Sequence, residues 1–177
     1  MNRCRGVTLL ELLVVLMVAA VLAAAAIPGL GAFILNARRT ADVNGFVTAV
    51  QLARSEAFKR GRTVVLCKTA DGMRCGGSDV DFDQGWMVFV NDGSENPPRR
   101  DSDEPRLYEY RPEMAGSITA NRRLFEFRPF GRRSTNGTVT FCDRRGAVQA
   151  RAVIVSFTGR PRVTRNRPGL RPLTCEV

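Results

Sequence analysis

The sequence predicts an α+β fold: one long N-terminal helix, with a membrane half and an amphipathic half, packed on an antiparallel β-sheet head. Three observations lead there. From Val7 to Ile27 only Thr8 and Glu11 are not apolar. From Val43 to Phe58 apolar residues recur at three and four, the spacing of one helix face. After Gly61 only short apolar or alternating runs remain, bounded by turn residues, and these read as strands. One helix followed by strands alone favours a helix laid across a sheet, because each buries the other's apolar face.

The first run fixes the N-terminal organisation. Its 21 residues from Val7 to Ile27 make a helix of about 31 Å, enough to cross a bilayer core. Arg3 and Arg5 precede it and Arg38-Arg39 follow. Glu11 is out of place in an ordinary anchor, since a charge at bilayer depth costs about 2.5–3.5 kcal/mol, less near the interface. A free amino group at the helix start would partner it, and cleavage after Gly6 would create one on Val7. A cleaved secretory signal is the plainer alternative, but the run is long for that. The basic leader, Gly6 and Glu11 together resemble the type IV prepilin signal. That resemblance implies cleavage after Gly6 by a prepilin peptidase, N-methylation of Val7, and Glu11 meeting the terminal amine of a neighbouring pilin subunit. The family usually has Phe where Val7 stands. The expected organisation is a leader at 1–6, a hydrophobic transmembrane and assembly helix at 7–35, and a globular head at 36–177.

Pro28, flanked by Gly29 and Gly31, should bend or locally break the helix. The helix then resumes. Val43, Phe46, Val47, Val50, Ala53, Ala57 and Phe58 form its apolar face, while Asp42, Gln51, Arg54, Glu56 and Lys59 take the other positions. Gly61 is a C-terminal stop. Strands are expected at Thr63–Cys67 and Gly85–Val90, with a turn-rich excursion between them. A polar loop follows from Asn91 to Pro105. Shorter strands fall near Leu107–Tyr110, Gly116–Ala120 and Leu124–Phe127. Asn136-Gly137 is a hairpin signal before Thr138–Cys142. Ala152–Phe157 reads as a buried strand, and Gly159 turns the chain into Arg160-Pro161-Arg162-Val163-Thr164-Arg165.

Charge is unevenly spread. The net charge is +10, with 27 basic and 17 acidic residues. Residues 42–121 carry 10 basic and 13 acidic groups, whereas residues 122–177 carry 13 Arg against 3 acidic groups. A local excess of this size points to a polyanionic partner. Of the five cysteines, Cys4 lies in the expected leader. Four remaining in an exported domain suggest two disulfides. Among three connectivities, the local choice is Cys67–Cys75 with Cys142–Cys175. A zinc site would want C-x2–4-C pairs, and none occur.

The head carries a second, longer resemblance. Ala53-Arg54-Ser55-Glu56-Ala57 precedes a strand ending in Cys67. Gly85-Trp86-x-Val88-Phe89 follows, then Phe141-Cys142-Asp143, then Ser156-x-x-Gly159-Arg160-x-Arg162. In this order, behind the prepilin signal, the chain resembles the FimT/GspH family of minor pilins and pseudopilins. The resemblance implies a pilin-like fold and other pilin subunits as partners through the N-terminal helix. It also implies an inner-membrane location with the head in the periplasm, and a pilus location after assembly. FimT-like members carry the Gly-Arg-x-Arg pattern and bind DNA for natural transformation, which implies DNA contact at Gly159, Arg160 and Arg162.

The residues themselves support that chemistry. In an extended segment Arg160 and Arg162 would face the same way, about 6.6 Å apart. Each guanidinium fork donates two parallel hydrogen bonds to phosphate. Arg165 continues the tract, and Arg132-Arg133 and Arg144-Arg145 are further candidates for the same surface. Such contacts would be phosphate-directed and non-specific. The alternative function is structural: a minor pilin or type II secretion pseudopilin acting in filament assembly or initiation. An enzyme is not expected. The chain has no histidine, which removes a His base and His-ligated metals, and no G-x-x-x-x-G-K-[ST] run supports ATP hydrolysis. Asp79-Val80-Asp81-Phe82-Asp83-Gln84-Gly85 resembles the start of a calcium loop, but Gln84 stands where glycine belongs and Val90 where a carboxylate belongs. No catalytic residue, metal or cofactor is therefore expected.

Overall fold

A computed structural model describes residues 8–93, 98–129, 132–167, 169 and 171–175, with backbone only at 25–28. Gly6 and Val7 lie outside the described residues. The chain forms two compact units, 1–37 and 38–177.

A single helix, α1, spans Leu9–Arg60. Thr8 begins it: the Leu12 amide donates to the Thr8 carbonyl (3.1 Å) and the Glu11 amide to Thr8 Oγ1 (3.2 Å). Thr8 is thus an N-cap, and Glu11 stands three residues on, at the acid position of a capping box. Pro28 does not end the helix. Among the described residues no single helix is long and apolar enough to cross a membrane, but Leu9–Ala24 and Gly29–Arg60 together meet that test as a bent pair, broken at the segment containing Pro28. Gly61, at φ 65°, stops the helix as a left-handed cap residue.

Among the described residues of the second unit eight strands follow: β1 Thr63–Lys68, β2 Trp86–Asn91, β3 Arg106–Tyr110, β4 Gly116–Ala120, β5 Leu124–Phe127, β6 Gly137–Asp143, β7 Arg151–Val155 and β8 Pro161–Thr164. They divide into two antiparallel four-stranded sheets, ordered β3-β2-β1-β5 and β4-β6-β7-β8. The sequence reading gave an antiparallel β-sheet head without the strand pairing. The division arises because β5 returns to β1 while β6 pairs with β4. Asn136-Gly137 is consequently not a hairpin turn. Gly137 pairs with Val155 inside the second sheet, and a Cβ there would sit 2.8 Å from Arg122 Cγ and 2.9 Å from Phe125 Cε1. Close approach, not turn geometry, requires glycine at that position.

One core lies between the helix and both sheets. Phe46, Ala49, Val50, Ala53 and Ala57 of α1 pack against Val64, Leu66, Trp86, Val88, Phe125, Phe127, Val139, Phe141, Val153 and Val155. Phe46 is its hub, meeting Phe82, Trp86, Phe125 and Phe141 edge to face at 5.6–6.1 Å, the arrangement ring quadrupoles favour. The outer faces are covered too. Val65, Cys67, Met87 and Phe89 form a second cluster with Cys75, and Cys142, Ala150, Ala152 and Leu173 a third with Cys175. Cys67 is bonded to Cys75 and Cys142 to Cys175. Each bridge therefore pins a loop or tail over the outer face of one sheet. Burial on both faces explains why β1 and β2 read as continuous apolar runs.

Two helix positions differ from the sequence reading. Phe58 is 45 % exposed, not core, and the Arg54 guanidinium lies 5.5 Å from its ring centre. Asp42, placed on the polar side, is fully buried. It accepts hydrogen bonds from Tyr110 Oη (3.0 Å) and the amides of Glu113 (3.1 Å) and Met114 (2.9 Å). A carboxylate with such partners can replace an apolar residue at a helix–sheet junction.

Candidate nucleic-acid interface

The Gly-Arg-x-Arg stretch is the connection between β7 and β8. The Gly159 amide donates to the Ser156 carbonyl (2.9 Å), the Ser156 amide to the Arg160 carbonyl (3.1 Å), and the Arg160 amide to Ser156 Oγ (3.2 Å). Gly159 sits at φ 71°, where a Cβ would meet Phe127 Cδ1 at 3.1 Å and Arg54 Cδ at 3.2 Å. Glycine therefore closes the turn with least strain. Arg54 Nε reaches across to donate to the Thr158 carbonyl (3.1 Å), so the helix braces the turn. Pro161 opens β8, an edge strand of its sheet, where a missing amide donor costs no ladder bond.

Arg160 lines an open groove of about 500 Å³ together with Arg54, Arg128, Arg132 and Arg133. The side chains of Arg132 and Arg160 hydrogen-bond to no described residue, whereas Arg128 is paired with Glu126 (2.6 Å). Phe58 and Phe157 form the groove's apolar walls. Arg133 lies 5.3 Å from the Phe157 ring centre, and Phe157 is 51 % exposed.

The structure distributes the other candidates. Arg162 is exposed and pairs in register with Ile154, between Pro161 opposite Val155 and Val163 opposite Val153. Val153 and Val155 face the core, so Arg162 stands on the outer face of its sheet. It does not line the groove that holds Arg160. Arg165 belongs to a different neighbourhood, near Arg39 and Arg151, where burial, and after it the like charges, lower the pKa of the Arg39 and Arg151 guanidinium groups. There Asp143 is the counter-charge. It is fully buried, 3.1 Å from Arg39 and 2.6 Å from Arg145. The hydrogen bonds from Arg145 hold its carboxyl below the ordinary carboxylate value, against the opposing effect of burial. Arg132-Arg133 joins the Arg160 groove; Arg145 does not.

Arginines also gather around the Cys67–Cys75 loop. Two cavities there share Cys75 and Arg99; Arg74, Arg100 and Arg106 line one, Arg122 and Arg123 the other. The near-calcium stretch shows a simple alternation: Val80 and Phe82 are buried, Asp79, Asp81 and Asp83 exposed, with Asp81 3.6 Å from Lys68. Among the described residues no group of His, Cys, Asp or Glu could hold a metal ion. Sequence reasoning missed Arg54, Phe58 and Phe157 as parts of the groove. The visible signals were two: Phe58 at the end of the helix's apolar spacing and Phe157 at the end of an apolar run.

Residues 42–159 match the family of type II transport protein GspH, and residues 1–27 the prokaryotic N-terminal methylation motif. The GspH match ends at Gly159, just before Arg160. No curated protein matches the chain. Two crystal structures of the type IV minor pilin FimU from Pseudomonas aeruginosa share the fold. One has 16 % identity and a TM-score of 0.56 over 77 % of this chain and 99 % of FimU. The other has 19 % identity and a TM-score of 0.50 over 80 % and 95 %. The GspH match over two-thirds of the chain, behind the methylation motif, makes this a type IV pilin-like minor pilin or pseudopilin, a member of the GspH family.

Proposed function

We propose that this protein is a minor type IV pilin that binds extracellular DNA non-specifically for uptake in natural transformation. The observation that carries the reading is the Arg160 groove: a glycine-dependent turn holds Arg160 beside Arg132 and Arg133, with Arg132 and Arg160 left to solvent. Exposed guanidinium groups with no hydrogen-bond partner among the described residues can bind phosphate bidentately. Arg162, two residues on, would extend the contact along the edge strand, and Arg165 would supply longer-range attraction. Such contacts carry no sequence information, which suits capture of arbitrary DNA.

In this reading the leader 1–6 is removed after Gly6, and Val7 becomes the methylated N-terminus. Glu11 then pairs with the amine of an adjacent subunit as helices assemble. The head, 36–177, lies in the periplasm while the helix sits in the inner membrane, and lies outside the cell once in a pilus. A structural role in filament assembly or type II secretion is the second reading, favoured by the type II transport description of the matched family. Duplex binding by the full chain in detergent separates the two. Arg160→Gln/Arg162→Gln should weaken binding at least about tenfold while leaving the urea midpoint in place, each lost charge-assisted contact being worth about 1.5–3 kcal/mol. Duplex affinity unchanged in this variant would favour the structural reading.

A further inference from the structure

Among the described residues of the second unit, the exposed phenylalanines are Phe58 and Phe157. Both line the Arg160 groove. They come from distant parts of the chain, the last turns of α1 and the turn after β7, so sequence proximity does not explain their meeting. Each is flanked by a guanidinium: Arg54 lies 5.5 Å from the Phe58 ring centre and Arg133 5.3 Å from that of Phe157. Arg54 also donates to the Thr158 carbonyl beside Phe157, which ties the two walls together. Phe58 and Phe157 keep 45 % and 51 % of their surface open. Two open rings between cations are ill-suited to a duplex, whose bases are already stacked and paired. They suit a strand whose bases are free, because rings stack bases of any sequence while arginines take the phosphates.

We propose that the groove is a site for single-stranded nucleic acid, with Phe58 and Phe157 as stacking platforms and Arg132, Arg133 and Arg160 as phosphate contacts. This rests on the DNA-binding reading and adds the strand state of the ligand. It divides the labour: arginines bind either form, and the rings bind only unpaired bases.

The test measures binding of the full chain in detergent by fluorescence anisotropy at one salt concentration. The probes are a mixed-sequence 20-mer single strand, its duplex, and an abasic strand of the same length. The single strand should bind more tightly than either control. Phe58→Leu/Phe157→Leu, which keeps apolar volume at two exposed positions, should lower single-strand affinity at least about tenfold, a stacked base being worth about 1–3 kcal/mol. Duplex and abasic affinities should not change. If single strand and duplex bind alike and the leucine variant alters neither, the stacking proposal is overturned while the phosphate reading stands. If wild type binds none of the probes, both fall.

Discussion

Asp143 shows how one side chain can hold the head's basic surface together. It is buried: Arg145 donates to both of its oxygens and Arg39 donates to Oδ2. Removing it would take from Arg39, itself almost fully buried, the carboxylate 3.1 Å away. Asp143→Ala should therefore cost about 3–5 kcal/mol, the range for breaking a buried pair from one side. Urea unfolding followed by the fluorescence of the one tryptophan, Trp86, which is fully buried in the head, would measure it. The pH dependence has a definite sign. The hydrogen bonds from Arg145 hold the Asp143 carboxyl below the ordinary carboxylate value in the folded chain, so its contribution is present above the unfolded-chain pKa and is lost as pH falls through the depressed folded value. Asp42 has the opposite sign: burial raises its pKa despite three hydrogen bonds, so its ionisation weighs on the fold as pH rises through the raised value. An acid limb that shrinks in Asp143→Asn, measured by the same fluorescence, is the expected outcome. The two aspartates also mark what a sequence can and cannot show at this scale. Asp143 stood in a recognisable Phe-Cys-Asp run. Asp42 looked like any polar helix position, because its partners lie at Tyr110, Glu113 and Met114, about seventy residues away.

At the scale of elements, the helix and most strand positions were legible, since periodicity and β-branched runs are local properties. The pairing of strands was not. Asn136-Gly137 has the composition of a hairpin turn, yet tertiary contacts with Arg122 and Phe125 decide its use. The same limit applies to Phe58, whose place in the apolar spacing says nothing about where the sheet ends. The β7–β8 turn is the element on which the functional reading depends. Gly159→Ala would place a Cβ against Phe127 and Arg54 at a positive φ. It should cost about 1–2 kcal/mol and displace Arg160 from Arg132. The expected signature is a modest drop in the urea midpoint with a loss of DNA affinity comparable to Arg160→Gln. A drop in midpoint with full DNA affinity would mean that the turn does not position the site.

For the whole molecule, the charge asymmetry seen in the sequence becomes a distribution over three places: the Arg160 groove, the neighbourhood of Asp143, and the rim of the Cys67–Cys75 loop. The cluster around Asp143 is neutralised in part from within. Arg122 and Arg128 flank opposite ends of β5, about 20 Å apart at strand rise, so the loop rim and the groove can be tested separately. Arg122→Gln/Arg123→Gln serves as the control for any general charge effect. The N-terminal methylation motif implies a membrane anchor and later assembly with other pilins, which would repeat this head along or at the tip of a filament. If the head binds phosphate as proposed, repetition along a filament would strengthen contacts that are weak singly.

The most direct measurement of the central claim is the salt dependence of duplex binding by the full chain in detergent. If four phosphates are neutralised, log K should fall with log salt at a slope of about −3.6, and Arg160→Gln/Arg162→Gln should flatten it by about 1.8. The Arg122→Gln/Arg123→Gln control should keep the wild-type slope. A slope near zero, or one that the Arg160 and Arg162 substitutions leave intact, would contradict DNA capture through the Gly-Arg-x-Arg turn.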